Sequence, residues 1–177
     1  MEIYDPLNIN ISKSLKKTLN FIRSGIDNLN ERELNQDQRE KILDALMVPH
    51  IRNSLGIEDI RASARQTREV LDFYRLEGEV KPGRQNQEIV NLQDANDFIT
   101  SEEGVNSELS VDFIKKIHYL ITKHTKVRDP GSFKDRPNEF RENIETALPI
   151  KIPELIETLA QFFEVASDET DPIVLAC

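Results

Sequence analysis

The side chains best placed for chemistry are a serine and a glutamate four residues apart, Ser54 and Glu58. On an α-helix this spacing stacks the two side chains on one face. Glu58 directly follows Ile57, an apolar residue of a predicted helix face, so its carboxylate flanks the buried side and is within reach of a basic group on a neighbouring element. The alternative is an exposed Glu58 paired with Arg61, an ion pair that would stabilise the chain very little.

The other reactive residue types form no recognisable site in the sequence. His50, His118 and His124 lack the spacing of metal ligands, and the last two are six residues apart, which turns them in different directions on a helix. Cys177 has no histidine near it in sequence, which argues against a thiol nucleophile. No H-E-x-x-H, P-loop, G-x-G-x-x-G or G-x-S-x-G motif occurs. We therefore predict no catalytic residue and no metal site in these 177 residues.

Helices must position Ser54 and Glu58, because apolar residues recur at helical spacing along most of the chain. The predicted helices cover residues 12–29, 35–47, 53–74 and 86–100, one begins after an N-cap at Ser110, one has Pro153 in its first turn, and the last begins at Asp171-Pro172. Pro49 is expected to end the second helix. The third is expected to be one long amphipathic helix, with Ile57, Ile60 and Leu71 on its buried face.

Between residues 129 and 153 the helical period fails. Pro130-Gly131 and Pro137-Asn138 are turn signals, and Leu148, Ile150 and Ile152 alternate with other residues, as in a strand. We predict a short β-hairpin, or flap, with those three residues on a strand that Pro149 confines to a sheet edge. The alternative is a structural loop packed on the helices.

The order of these signals resembles the front part of a Fic-domain AMP-transferase, over residues 53–177. Three stretches carry the resemblance: Ser54-Leu55-Gly56-Ile57-Glu58-Asp59, Asp129-Pro130-Gly131-Ser132-Phe133-Lys134 and Asp171-Pro172-Ile173. The first is similar to the family's inhibitory motif S/T-x-x-x-E-G/N, with Asp59 in place of Gly or Asn. The second is similar to the P-G-x-F-R that opens the family's flap, with Lys134 for Arg. The third is similar to the H-P-I before the active site, with Asp171 for His.

The resemblance implies a mainly α-helical, Fic-like bundle with one β-hairpin flap, truncated before the catalytic loop H-P-F-x-D/E-G-N-G-R. Ser54 would fix the inhibitory helix, and Glu58 would obstruct the position of the ATP γ-phosphate. Leu148, Ile150 and Ile152 would dock an extended segment of the target protein by strand addition. The complete enzyme would use ATP and magnesium to move AMP onto a hydroxyl side chain of that target. Because the loop is missing, this chain alone is expected to have no transferase activity and to need no cofactor.

Residues 1–50 are predicted to form an N-terminal helical extension, and residues 51–177 the inhibitory helix and the front of the Fic-like core. The chain stops five residues after Pro172, inside an apolar helix, which predicts a cut within a longer protein. Two alternatives remain open. One is a complete antitoxin-like regulator that inhibits a separate Fic protein in trans. The other is a helical interaction protein unrelated to Fic proteins, which predicts an exposed Glu58 and no hairpin.

Composition and charge limit the partners. The chain has 23 Lys and Arg against 32 Asp and Glu, a net charge of −9, and its basic residues are interleaved with acids, which argues against nucleic acid. No stretch approaches the roughly 18 apolar residues of a membrane helix, and the single cysteine excludes an internal disulfide. We expect a cytoplasmic protein without membrane partners. Its expected partners are a target protein on the flap and either a second copy of the chain or a separate Fic protein.

Overall fold

The computed structural model describes residues 12–57, 59–137 and 146–166. In these residues the chain forms seven α-helices and one short 3₁₀ helix. The α-helices are α1 (Lys13–Asn30), α2 (Gln36–Ile57), α3 (Ala64–Glu77), α4 (Arg84–Thr100), α5 (Glu102–Val105), α6 (Val111–Thr122) and α7 (Ile152–Ala166), and the 3₁₀ helix is Pro149–Lys151. The prediction of a mainly α-helical protein is confirmed. None of the helices in the described ranges is both long enough and apolar enough to cross a bilayer.

Serine side chains begin four of the helices. The hydroxyl oxygens of Ser12, Ser63, Ser101 and Ser110 each accept a hydrogen bond from the backbone N–H three residues later, which satisfies a donor that the first helical turn leaves unpaired. Helix α2 instead begins with a reciprocal pair. The Asn35 side chain accepts from the N–H of Gln38 at 2.9 Å, and the Gln38 side chain accepts from the N–H of Asn35 at 3.0 Å.

The core lies where α2, α3 and α4 meet. Its buried apolar residues are Val48, Ile51, Leu55, Val70, Leu71, Ile89 and Val90. Helix α4 is central, because α2, α3, α5 and α6 all pack on it, and α7 packs in turn on α6. A helix that is surrounded in this way needs buried side chains on more than one face, which explains why α4 also buries Asn91 and Gln93.

Two helix predictions are wrong. Pro49 lies inside α2 and does not end it. An interior proline costs about 3 kcal/mol, and here Val48, Ile51 and Leu55 bury their side chains on both sides of it in the same core. The single helix expected over residues 53–74 is two helices, because α2 ends at Ile57 and α3 begins at Ala64. The apolar period continues across the break and therefore conceals it.

The predicted β-hairpin is not seen in the described part of residues 129–153, which leaves out 138–145. Leu148 precedes a 3₁₀ helix, in which the N–H of Lys151 donates to the Leu148 carbonyl at 2.9 Å, and Ile152 is the first residue of α7. The alternation of Leu148, Ile150 and Ile152 is thus the start of a helix and not a strand. Pro149 and Pro153 both suit the first turn of a helix, where no N–H partner is needed.

The helices predicted over residues 12–29 and 86–100 and after Ser110 and Pro153 are confirmed, with ends within about two residues of the prediction. The predicted helix at Asp171 lies outside the described residues. The division of the chain at residue 50 remains a prediction, and the structure places that boundary inside α2.

Candidate functional site

Ser54 lies in the last turn of α2, which ends in a specific backbone arrangement. The N–H of Ile60 donates to the Leu55 carbonyl at 3.0 Å, and the N–H of Asp59 donates to the Gly56 carbonyl at 3.3 Å. These two bonds form a Schellman motif, whose defining feature is one residue in the left-handed conformation. That residue is Asp59, with φ of 57°. Glu58 lies outside the described residues, so its blocking role stays a prediction.

Side chains of two helices hold the segment that links α2 to α3. The Arg52 guanidinium donates to the Ala62 carbonyl at 3.2 Å, and the Gln85 amide donates to the Arg61 carbonyl at 2.7 Å. Gln85 belongs to the first turn of α4, so the linker is fastened both to the helix before it and to the central helix. The end of α2 therefore has a fixed position relative to α4.

A groove of about 530 Å³ opens at this end of the molecule, and we call it the Ser54 groove. Its wall from α2 and the linker contains Ser54, Leu55 and Ile60, its α4 wall contains Arg84, Glu88 and Leu92, and its third wall contains Ile121, Thr122, Thr125, Lys126 and Val127. The lining is mixed: apolar side chains alternate with hydroxyls and two cationic groups.

Charge in the Ser54 groove centres on α4. The Nε of Arg84 lies 2.7 Å from Oε1 of Glu88, and the Glu88 side chain is only 13% exposed. Its other oxygen, Oε2, is buried and has no hydrogen-bond partner among the described residues. A buried carboxylate oxygen favours a donor. Arg84 and Glu88 therefore offset each other's charge on this wall, and the buried Oε2 is not exposed to a ligand in the groove.

Polar side chains of α4 hold the third wall of the groove in place. The amide of the fully buried Asn91 donates to the carbonyls of Ile121 and Lys123, at 2.9 and 2.7 Å. These carbonyls lie at the end of α6, where a helix lacks partners for its last carbonyl groups. The Nζ of Lys123 in turn lies 2.6 Å from Oδ2 of Asp94. These three contacts fix where the chain leaves α6.

Tyr74 completes this cluster from α3. Its hydroxyl donates to Oδ1 of Asp94 at 3.1 Å. Burial, followed by the negative charge of Asp94, raises the pKa of Tyr74 above its usual value. The tyrosine is therefore a neutral donor at physiological pH. We call Tyr74, Asn91, Asp94 and Lys123 the α6 clamp.

The segment after the clamp contains the predicted start of the flap. Gly131 has φ of 77°, and its N–H donates to Nδ1 of His118 at 3.0 Å. The Nζ of Lys115 lies 4.5 Å from the centre of the Phe133 ring, which is a cation–π distance. Both contacts fold the segment back onto α6. His118, for which sequence gave no role, acts here as an acceptor for the turn.

A second groove of about 560 Å³ lies between this segment, α6 and α7, and we call it the Phe133 groove. It is lined by Ile114, Lys115, His118, Val127, Arg128, Asp129, Ser132, Phe133, Lys134, Asp135, Ile152 and Ile156. Of the three predicted docking residues, Ile152 lines this groove, whereas Leu148 and Ile150 are exposed, Ile150 to 86%. Val127 lines both grooves. Ser54 and Ile152 are not in one site, but Val127 borders both of their grooves.

Sequence reasoning missed the α6 clamp. No motif marks Asn91 or Asp94 in the sequence. The sequence offers only a weak signal. Helix α4 has two adjacent apolar residues, Ile89 and Val90, yet most of its other residues are polar. No group of three or more His, Cys, Asp or Glu residues that could hold a metal ion occurs in the described ranges.

The chain matches no protein-family model, no curated protein and no solved structure. The resemblance to Fic proteins therefore rests on the residues of the chain alone.

Proposed function

We propose that this chain is the self-inhibitory and target-docking part of a Fic-type protein adenylyltransferase. One observation carries the proposal: Asp59, the last residue of the stretch that resembles the inhibitory motif, has a left-handed backbone conformation. The family has Gly or Asn at this position. Gly, Asn and Asp are the residue types that adopt this conformation at least cost. Asp59 thus keeps the backbone property that Gly or Asn would supply at this position, namely a left-handed residue in the turn that follows α2.

The arrangement of the two grooves gives a second line of support. The Ser54 groove adjoins the stretch that resembles the inhibitory motif, and the Phe133 groove adjoins the stretch that resembles the start of the flap. Val127 lines both grooves, so the two stretches that carry the resemblance border neighbouring grooves, which supports the proposal. An enzyme that places a target hydroxyl beside a nucleotide needs these two regions to be adjacent.

In the proposed enzyme the oxygen of the target hydroxyl attacks the α-phosphorus of ATP, the bond to the departing pyrophosphate breaks, and AMP remains on the target. The catalytic-loop histidine of such an enzyme takes the hydroxyl proton. Ser54 helps to position the end of α2, and Glu58 lowers the rate by occupying the basic group that the γ-phosphate needs. ATP and magnesium belong to the complete enzyme, and no described residue is assigned to hold either.

Target docking is proposed at the exposed residues before α7 and at the Phe133 groove. The strand addition expected from the sequence has no support in the described residues, because Pro149–Lys151 are helical. Leu148 and Ile150 remain exposed apolar side chains next to a groove whose walls include Ile152 and Phe133. Such a surface gains affinity from apolar burial and not from backbone pairing.

The test is AMP transfer by the protein isolated as it occurs in its source cell, with its intact mass determined. Glu58→Gly is expected to raise the incorporation of radiolabelled AMP at least about tenfold, which corresponds to about 1.4 kcal/mol in the barrier. Glu77→Gly, a change at the exposed end of α3, is the matched control and should leave the rate unchanged. A mass above 20.4 kDa with a peptide of the H-P-F-x-D/E-G-N-G-R type is expected. An active enzyme that Glu58→Gly leaves unchanged would refute self-inhibition.

A helical interaction protein unrelated to Fic proteins is the second candidate, and one observation favours it. The described residues between 129 and 153 contain no strand, as this candidate predicts. The same assay separates the candidates: a protein of 20.4 kDa that transfers no AMP in any variant supports the second. Inhibition of a separate Fic enzyme by that protein, relieved by Glu58→Gly, would instead indicate the trans-acting regulator.

A further inference from the structure

Helix α1 presents an apolar stripe along its whole length. Leu15, Leu19, Ile22, Ile26 and Leu29 follow one another at steps of four, three, four and three residues. Leu19 is buried, and the other four are 39% to 49% exposed, which is high for side chains of this type. In the described part of the chain, α1 makes no extensive contact with another helix.

The spacing of the stripe is that of a helix pair. Steps alternating between four and three residues average 3.5, the period at which two helices keep their apolar seams in contact along their length. An apolar face that merely caps a globular core needs no such regularity. The 18 residues of α1 span about 27 Å, enough for two and a half repeats.

The charges on α1 indicate the direction of the pairing. Its first half carries Lys13, Lys16 and Lys17 and its middle Arg23, whereas Asp27 and Glu31 lie at its end. Lysines at the start of a helix oppose its dipole, as do acids at its end. A second α1 that runs in the opposite direction offsets both unfavourable charge placements, because it puts an acidic end beside each basic end.

Side-chain positions agree with this direction. Lys16 follows Leu15 and Asp27 follows Ile26, so both flank the stripe on the same side. If Leu15 lies opposite Leu29 of a second copy, Lys16 lies within about one residue of the level of that copy's Asp27. In a parallel pair Lys16 would face the other copy's basic half.

We propose that α1 is a self-association surface, on which a second copy of this chain pairs with its own α1 in the antiparallel direction. The apolar stripe supplies the affinity, and the separation of charge along α1 sets the direction. The proposal does not depend on the proposed adenylyltransferase role, since no residue of either groove takes part.

Sedimentation equilibrium of the full chain tests the proposal between about 1 and 100 µM, a range that covers interfaces of modest size. A species of twice 20.4 kDa should accumulate with concentration. Ile22→Glu, near the centre of the stripe, should weaken association at least about tenfold. Phe21→Glu is the matched control: Phe21 is 80% exposed, lies on the same helix off the stripe, and takes the same new charge. Circular dichroism checks that both variants keep their helices.

A charge exchange tests the direction. Lys16→Glu and Asp27→Lys should each weaken association about two- to threefold, and the double variant should restore it. A chain that stays monomeric at the highest concentration overturns the proposal, as does equal weakening by Ile22→Glu and Phe21→Glu. Failure of the double variant to restore association overturns the antiparallel arrangement.

Discussion

Replacing Asn91 with leucine tests whether the α6 clamp holds the end of α6. Asn91 is fully buried, and its amide donates to two carbonyls, those of Ile121 and Lys123, at 2.9 and 2.7 Å. Leucine fills a similar volume but donates nothing, so the two carbonyls lose this donor in a place that water reaches poorly. Each unsatisfied buried group costs about 1–3 kcal/mol. Because costs at neighbouring groups do not add fully, we expect a loss of roughly 3 kcal/mol in the free energy of unfolding.

The assay is urea unfolding followed by circular dichroism, with thermal unfolding as a second measure. For a chain of this size a loss of about 3 kcal/mol lowers the melting temperature by about 6–12 °C. Asn96→Leu is the matched control, since its amide donates at 3.0 Å to the Leu92 carbonyl within α4 itself. That carbonyl keeps its helical N–H partner, so the free energy of unfolding is expected to fall by about 1 kcal/mol or less.

Hydrogen exchange locates the effect. In Asn91→Leu the amides near the end of α6 and in the segment to Gly131 should exchange faster, while those of α2 near Ile51 should change only with global stability. A difference of less than about 0.5 kcal/mol between the unfolding free energies of Asn91→Leu and Asn96→Leu would refute the role of the clamp. That role is refuted equally if protection near Lys123 stays unchanged relative to the core.

Three further predictions concern single residues. Gly131→Ala should lower the free energy of unfolding by about 1–3 kcal/mol, because the residue has φ of 77° and a Cβ would lie 2.9 Å from the Cβ of Tyr119; no loss in urea unfolding would contradict the turn geometry. Asp59→Gly should raise that free energy by about 0.5–1 kcal/mol, since Asp59 has φ of 57°, and a loss would contradict the left-handed assignment. Tyr74→Phe should cost about 1 kcal/mol at neutral pH. Since burial and Asp94 raise the pKa of Tyr74, the wild-type contribution should be complete below about pH 10 and decline as pH rises through the folded-state pKa; an equal alkaline decline in the variant would contradict this.

Helix positions were largely predictable because they depend on local chemistry. Ser12, Ser110 and Pro153 mark helix starts through hydrogen bonds and backbone angles within one turn, and the structure uses each of them there. The helix predicted over residues 12–29 was recognisable for the same reason. The break after Ile57 was not, because Asp59 gives only a weak signal for a left-handed residue and the apolar period runs on across it.

The grooves and the clamp could not be predicted in the same way. Asn91 meets Lys123 across 32 residues of sequence, and Val127 borders two grooves only because α6 ends where α4 holds it. At Ile152 the local pattern was misleading. Its alternation with Ile150 fits a strand, but the two prolines and the packing of α7 on α6 favour a helix.

The sequence by itself determined that the chain is helical, where most helices start, and which stretches resemble inhibitory and flap motifs, because these depend on residues close together in the chain. Only the tertiary structure decided that Pro49 is carried inside α2, that the region before α7 is helical, and that the regions around Ser54 and Phe133 lie side by side. The physical reason is that burial of distant residues around α4 outweighs local preferences of about 1–3 kcal/mol.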